Sequence, residues 1–193
     1  MIRRIKIIGV MGSGTESHKG LSEPLGRLIA ESGYHLLTGG GYGVMAEVSK
    51  AFCAARERKG FSIGIIRSGD YPVLDENSQK RRHIKYAVNE WVEIPVYTHL
   101  PLSGEQGTDY MSRNHINVLT SDIVIALPGG PGTYSEVRLR AQYQKPLILF
   151  LGDSTINGKK AEDLKNDPLF STYISIANSI EDVRERIKSY FKK

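Results

Sequence analysis

Six short apolar runs recur along this chain, and helical patterns separate most of them. The runs occupy residues 5–10, 34–38, 62–66, 91–97, 123–127 and 147–151. Between the first two runs, Leu21, Leu25 and Leu28 recur at the spacing of one helix face. Apolar runs that alternate with helices are typical of parallel strands, since each crossover must return the chain to the same edge of the sheet. The pattern predicts an α/β fold with a Rossmann-like parallel sheet and helices on both faces.

A single nucleotide-binding domain that covers residues 1–193 accommodates this pattern. The chain has 193 residues, 40% of them hydrophobic, which suits one domain with a sizeable core. No internal repeat, low-complexity tract or change in composition marks a boundary. Cys53 is the single cysteine, and no apolar segment approaches the roughly 20 residues of a membrane span. We therefore expect a cytoplasmic protein with no membrane partner.

The charge of the chain fits small anionic ligands. Lys and Arg outnumber Asp and Glu by 26 to 21, which gives a formal net charge of +5. A basic run at residues 80–85 lies within a polar stretch at residues 67–90, which we predict to be a long loop beside the ligand-binding edge. Neither interleaved aromatic residues nor an RNA-binding signature accompanies the basic run, so we do not expect nucleic acid as a partner.

Three of the expected strands run directly into glycine-rich loops. The candidate phosphate- or nucleotide-binding residues in these loops are Gly12, Ser13, Gly39, Gly40, Gly41, Gly43, Gly129, Gly130, Gly132 and Thr133. In a parallel sheet all three loops share the carboxyl edge, where open α/β sheets bind ligands at the point of reversed strand order. The third loop also opens a helix, whose first N–H groups attract an anion. The sequence therefore predicts one site for a nucleotide or another phosphorylated small molecule.

Several well-known nucleotide and metal patterns are missing from the sequence. The first loop has the glycine spacing of a P-loop but continues with Thr15 and Glu16, in place of the required Lys and hydroxyl residue. The dinucleotide fingerprint Gly-x-Gly-x-x-Gly does not follow the first strand. Zinc, calcium and serine-hydrolase patterns are absent as well. We therefore expect neither an NTPase nor an NAD enzyme, and no metal or other cofactor.

Two charged residues flank the third loop. Glu136 closes the motif Pro-Gly-Gly-Pro-Gly-Thr-Tyr-Ser-Glu at residues 128–136, and Arg113 lies fifteen residues before its first proline. This arrangement resembles that of the "lonely guy" phosphoribohydrolases, a superfamily formerly described as lysine decarboxylases. The Gly-Gly-Gly and Gly-Val-Met sequences at residues 39–45 are similar to that family too. The resemblance covers roughly residues 5–151, and it implies hydrolysis of the N-glycosidic bond of nucleoside 5′-monophosphates to free base and ribose 5-phosphate.

The resemblance implies that Arg113 and Glu136 are the catalytic residues. A carboxylate can stabilise the oxocarbenium-like centre or orient water, as in glycosidases. Arg113 would anchor charge on the ligand or position Glu136, while the third glycine loop would hold the 5′-phosphate at the helix N-terminus. A salt bridge between two helix starts is the structural alternative for this pair. The resemblance also implies a homodimer.

Two positions depart from the phosphoribohydrolase pattern. That family usually has Arg-Lys where this chain has Arg113 and Asn114, and an acidic residue where it has Ser135. Residues 8–14, 113–117 and 130–133 look at least as similar to the molybdenum cofactor carrier proteins. Those proteins share the fold and bind a phosphorylated pterin without needing to hydrolyse it. The sequence thus favours a nucleoside 5′-monophosphate phosphoribohydrolase that uses Arg113 and Glu136. The competing hypothesis is a non-enzymatic carrier of a phosphorylated ligand such as molybdenum cofactor or a nucleotide.

Overall fold

A computed structural model describes residues 5–68, 88–170 and 172–192. Within these residues the strands are β1 (Ile7–Met11), β2 (His35–Thr38), β3 (Ser62–Ile66), β4 (Ile94–Tyr97), β5 (Ile123–Ala126), β6 (Leu147–Leu149) and β7 (Ile174–Ile176). The helices are α1 (Lys19–Glu31), α2 (Val44–Cys53), α3 (Asn114–Thr120), α4 (Pro131–Gln142), α5 (Ala161–Asn166) and α6 (Ile180–Phe191). A 3₁₀ turn covers Gly104–Gln106.

The strands form one parallel sheet in the order β4-β3-β2-β1-β5-β6-β7. From β1 the chain builds outward to β4, and it then returns to the other side of β1 to build β5, β6 and β7. The strand order therefore reverses between β1 and β5, where Gly9 pairs with Val124 and Met11 pairs with Ala126. Because both strands end at the same edge, the loops that follow them start side by side.

Hydrophobic side chains of the strands pack into two clusters, one on each face of the sheet. Successive strand residues point to opposite faces, so Ile8 joins one cluster and Met11 joins the other. The first cluster also contains residues of α1, α2 and α6, and the second contains residues of α4 and α5. The expected Rossmann-like parallel sheet with helices on both faces is confirmed.

The structure differs from the sequence-based expectation mainly at short elements. The run at residues 91–97 forms a strand only from Ile94, because the amide of Val92 instead donates to Asn89 O at 3.3 Å in a turn. The sequence analysis missed β7, whose three residues are too few to show a periodic pattern. Most of the expected loop at residues 67–90, including the basic run at residues 80–85, lies outside the described residues.

Among residues 5–68, 88–170 and 172–192, none of the helices combines the length and the apolar character that crossing a bilayer requires.

Candidate functional site

The first and third glycine loops meet where the strand order reverses. The amide of Ser13 donates to Pro128 O at 2.9 Å, which joins the loop after β1 to the loop after β5. A Cβ atom on Gly129 would lie 2.9 Å from the nitrogen of Ser13 and would overlap Thr133 Oγ1. Position 129 therefore tolerates only glycine at this close approach. Pro131 starts α4, where a missing N–H costs nothing because the first helical N–H has no intrahelical partner.

The second glycine loop joins the first through the start of α2. The amide of Val44 donates to Ser13 O at 2.9 Å. Gly43 has φ 62°, and a Cβ there would lie 2.5 Å from the same Ser13 oxygen. On the other side, a Cβ on Gly12 would lie 2.7 Å from a methyl group of Val44. Both glycines thus permit backbone contacts that hold the two loops together.

The remaining glycines of the second loop support Arg113. A Cβ on Gly39 would overlap the guanidinium of Arg113, whose Nη1 donates to Ile65 O at 2.8 Å. Asn89 Nδ2 binds the carbonyl oxygens of Gly40, at 3.1 Å, and Gly41, at 2.7 Å. The second loop therefore contacts both the Arg113 side chain and the segment that contains Asn89.

A cleft of about 320 Å³ opens at the junction of these loops. Its walls come from the first loop, α2, the 3₁₀ turn and the starts of α3 and α4. The lining residues are Gly12, Ser13, Gly14, Thr15, Met45, Ser103, Gly104, Arg113, Asn114, Gly130, Gly132, Thr133 and Glu136. The structure thus brings most of the candidate site residues together around one cavity. The candidates that do not line it are Gly39, Gly40, Gly41, Gly43 and Gly129, which make the loop contacts described above.

The N-terminus of α4 provides hydrogen-bond donors at this cleft. The first backbone hydrogen bond at the start of α4 runs from Tyr134 N to Gly130 O at 3.0 Å. The preceding amides, those of Gly132 and Thr133, belong to the first turn, which has no intrahelical acceptors. With the positive end of the helix dipole behind them, these amides form a typical site for a phosphoryl group.

Glu136 is buried one turn into α4 and is 8% exposed. Asn117 Nδ2 donates to its Oε1 at 2.9 Å. Burial raises the pKa of Glu136, whereas the charge of Arg113 and the bond from Asn117 act in the opposite direction. Burial also lowers the pKa of Arg113; Glu136 opposes this shift and Arg67 adds to it. The pKa of each group shifts in the direction that burial favours, so the cost of burying the two charges exceeds their mutual attraction.

Arg113 and Glu136 interact through space and not as a direct salt bridge. The ion pairs among the described residues lie elsewhere, at Arg58 and Glu93 for example. Arg113 Nε is buried and has no hydrogen-bond partner among the described residues. The structural alternative of a simple salt bridge between two helix starts therefore does not account for the pair.

The two positions that depart from the phosphoribohydrolase pattern contact each other. Asn114 Nδ2 donates to Ser135 Oγ at 3.1 Å, and both residues are buried. Ser135 Oγ in turn lies 2.7 Å from the acceptor Gly132 O. Among the described residues, Asn114 Oδ1 has no partner. A neutral hydrogen bond therefore occupies the place where the pattern has two charged residues.

Asn117 and Ser103 are site residues that the sequence analysis missed. Asn117 follows Arg113 by four positions, so a helical interpretation of residues 113–117 could have placed both side chains on one face. Ser103 gave no comparable signal, since its place at the cleft depends on how the 3₁₀ turn packs against α4. Groups of three or more His, Cys, Asp and Glu residues that could hold a metal ion do not occur within the described ranges.

Comparison with known proteins connects this site to a family. The family model described as SLOG cluster4 matches residues 5–182. The molybdenum cofactor binding protein of the phototrophic bacterium Rippkaea orientalis is 34% identical, with 98% of this chain and 99% of that chain covered and a TM-score of 0.71. The molybdenum cofactor carrier protein of Chlamydomonas reinhardtii is 27% identical, with coverage of 98% and 100% and a TM-score of 0.71.

A third structure supports the fold alone. The protein TM1055 is 24% identical, with 96% of this chain and 99% of that chain covered and a TM-score of 0.69. The comparison with curated proteins found no match. Together, the family match and the structural neighbours confirm the resemblance to the "lonely guy" superfamily and to the molybdenum cofactor carriers.

Proposed function

The chain belongs to the SLOG cluster4 family, and we propose that it binds and carries a phosphorylated ligand of the molybdenum cofactor class. The phosphoryl group would accept hydrogen bonds from the amides of Gly132 and Thr133, and the heterocycle would occupy the rest of the cleft. The two relatives that are named for molybdenum cofactor binding and carriage support this ligand class. Arg113, which also lines the cleft, would bind the ligand through its guanidinium.

The neutral Asn114–Ser135 pair is the observation that favours carriage over hydrolysis. Glu136 is the only residue with a carboxylate among the described residues that line the cleft. Burial raises its pKa and so disfavours the negative charge that stabilises an oxocarbenium-like centre. Asn114 and Ser135 are uncharged as well. The residues around Glu136 are therefore better suited to hold a ligand than to stabilise the positive charge that develops on a ribose during bond cleavage.

The ligand retained through purification tests this proposal. Protein from a host that makes molybdenum cofactor would be denatured, and the released pterin and molybdenum would be measured by fluorescence and elemental mass spectrometry. We expect both in the wild type, at least about tenfold less in Arg113→Gln, and unchanged amounts in Arg27→Gln, which removes an exposed charge on α1. Equal pterin in the wild type and Arg113→Gln, or none in either, would contradict the proposal.

Phosphoribohydrolase activity is the second candidate function. It is favoured by Arg113 and Glu136, which line the same cleft as the phosphate-binding end of α4. The test is incubation with AMP and other nucleoside 5′-monophosphates, followed by chromatography of the free base. Base release by the wild type that Glu136→Ala abolishes would establish hydrolysis. Equal or absent release from both proteins would exclude it.

A further inference from the structure

Among the described residues that line the cleft, Met45 has the only apolar side chain. We propose that the heterocycle of the ligand packs on the thioether of Met45, while the phosphoryl group lies at the start of α4. This inference rests on the proposed function and deepens it, because it places the ring of the ligand and names a residue that favours ligands with a ring. A polarisable thioether makes favourable contacts with aromatic rings.

The composition of the cleft directs a ring to Met45. The other described lining residues are glycines or carry a hydroxyl, an amide or a charge. Pockets for small molecules hold rings on apolar side chains and use polar groups to orient the ligand. The side chain of Met45 is half-buried, so part of its apolar surface stays accessible at the cleft. A ring that covers this surface would remove it from water.

Two glycines leave room for the end of the Met45 side chain. A Cβ on Gly41 would lie 2.9 Å from Met45 Cε, and a Cβ on Gly14 would lie 3.8 Å from it. The terminal methyl group therefore lies between the first and second glycine loops. The preceding residue, Val44, is fully buried, and its amide donates to Ser13 O. The backbone that carries Met45 is thus fixed against both the core and the first loop.

Met45 and the start of α4 approach the cleft from different sides. Residues of α2 pack on one face of the sheet and residues of α4 on the other. These helices follow β2 and β5, which lie on either side of β1, roughly 10 Å apart at the usual strand spacing. The thioether and the amides of Gly132 and Thr133 are therefore separate contact points. A ligand that reaches both has its ring at one side and its phosphoryl group at the other.

Nuclear magnetic resonance of protein labelled with [methyl-¹³C]methionine and ¹⁵N tests the ring contact. The probe is the oxidised, phosphorylated pterin that molybdenum cofactor yields on denaturation, and ribose 5-phosphate is its control without an aromatic ring. We expect the pterin to shift the methyl resonance of Met45 through its ring current. The resonance of Met11, which is 2% exposed in the core, should stay unchanged. Both probes should shift the amide resonances of Gly132 and Thr133.

Variants measured by titration calorimetry test the same contact. Met45→Ala should bind the phosphorylated pterin about tenfold more weakly and ribose 5-phosphate within about twofold of the wild type. Met45→Leu keeps an apolar surface and should recover most of the pterin affinity. Gly41→Ala would displace the methyl group of an unchanged Met45, so it should also weaken pterin binding. Its control is Gly20→Ala, on α1, where the new methyl group meets no atom within 4 Å.

The outcomes separate this inference from the proposed function. A Met45 resonance that the pterin shifts no more than ribose 5-phosphate does, or equal pterin affinity of Met45→Ala and the wild type, would overturn the inference. Absence of the amide shifts at Gly132 and Thr133 would instead contradict the proposed function. Tighter binding of AMP than of the pterin, with a shift of Met45, would support the ring contact and contradict the proposed ligand class.

Discussion

Two arginines, Arg140 within α4 and Arg113 at the start of α3, differ in the hydrogen bonds that their guanidinium groups make. Arg140, on α4 itself, is 1% exposed. It donates to the carbonyl oxygens of Pro146 at 3.0 Å, Ser121 at 2.9 Å and Asp122 at 2.7 Å, and to that of Val118. Among the described residues, the guanidinium of Arg113 makes one hydrogen bond, to Ile65 O, and its Nε has no partner.

The difference lies in how many guanidinium donors the protein itself satisfies. A guanidinium has five N–H donors, and an unmet buried donor costs about 1–3 kcal/mol. Arg140 distributes its donors over the segments before β5 and β6 and therefore connects those segments to α4. Burial lowers its pKa to about 10, while Tyr190 and Asp122 raise it. Arg113 lines the cleft, and the protein leaves its Nε donor without a partner among the described residues. We expect this incomplete hydrogen bonding of a ligand-binding residue.

The largest expected effect is the loss of stability on replacing Arg140. Arg140→Met should lower the free energy of unfolding by about 4 kcal/mol, because four carbonyl oxygens, two in buried and two in half-buried hydrogen bonds, lose their donor. Urea denaturation measures the change. Arg27→Met, at an exposed site on α1, should cost less than about 1 kcal/mol. A similar loss in both variants would mean that Arg140 does not have the structural role assigned to it.

Arg113→Met should weaken ligand binding strongly and should lower stability less than Arg140→Met does. We expect at least about tenfold weaker ligand binding, and a loss of unfolding free energy of less than about 1.5 kcal/mol. The variant loses one side-chain hydrogen bond, to Ile65 O, and the attraction of Glu136, whose negative charge burial already disfavours, but it also loses a buried donor that has no partner among the described residues. Ligand retention and urea denaturation of the same preparation measure the two effects. A loss of stability as large as that of Arg140→Met would remove the distinction between the two arginines.

A pair of glycine substitutions tests the support of Arg113 without changing its charge. In Gly39→Ala the new methyl group would displace the guanidinium, so ligand binding should fall about tenfold. In Gly130→Ala the methyl group meets no atom within 4 Å, and φ is −94°, which alanine adopts freely. Gly130→Ala, the control variant, should therefore melt within about 2 °C of the wild type. Normal ligand binding in Gly39→Ala would show that Arg113 does not depend on this loop.

The smallest expected effect concerns Glu136 and pH. Its pKa in the folded protein lies above the ordinary value of 4.5, so the folded state holds a proton that the unfolded state releases as pH rises past that value. Ionisation of Glu136 therefore reduces stability toward neutral pH. Glu136→Gln keeps an acceptor for Asn117 and should melt a few degrees higher than the wild type at about pH 7.5.

The gain from Glu136→Gln should shrink as pH falls, and it should vanish below the ordinary value of 4.5, where the wild-type carboxyl is protonated in both states. Scanning fluorimetry across this pH range measures the difference in melting temperature between Glu136→Gln and the wild type. A lower melting temperature for the glutamine variant at neutral pH would show that the attraction of Arg113 exceeds the cost of burial.

Sequence periodicity predicted most of the fold for a physical reason. Buried parallel strands need apolar residues on both faces, so five- or six-residue runs such as residues 123–127 are visible without any tertiary information. The three-residue strand Ile174–Ile176 shows no such run. Its place in the sheet depends on pairing with β6, where Leu147 lies opposite Ile174.

The candidate site was predictable in part for a similar reason. All loops after parallel strands share one edge, so the glycine loops could be placed together from the sequence. The support of Arg113 by Gly39, the bond between Asn117 and Glu136 and the contacts of Arg140 depend on how α3 and α4 pack, which local patterns do not encode. The homodimer and the cytoplasmic location stay predictions.

A crystal structure of the protein with its retained ligand tests the central claim most directly. We expect phosphoryl oxygens about 2.7–3.2 Å from the amide nitrogens of Gly132 and Thr133, and the heterocycle in the cleft within reach of Arg113. A ligand bound outside this cleft, or one whose phosphoryl group does not contact the start of α4, would contradict it.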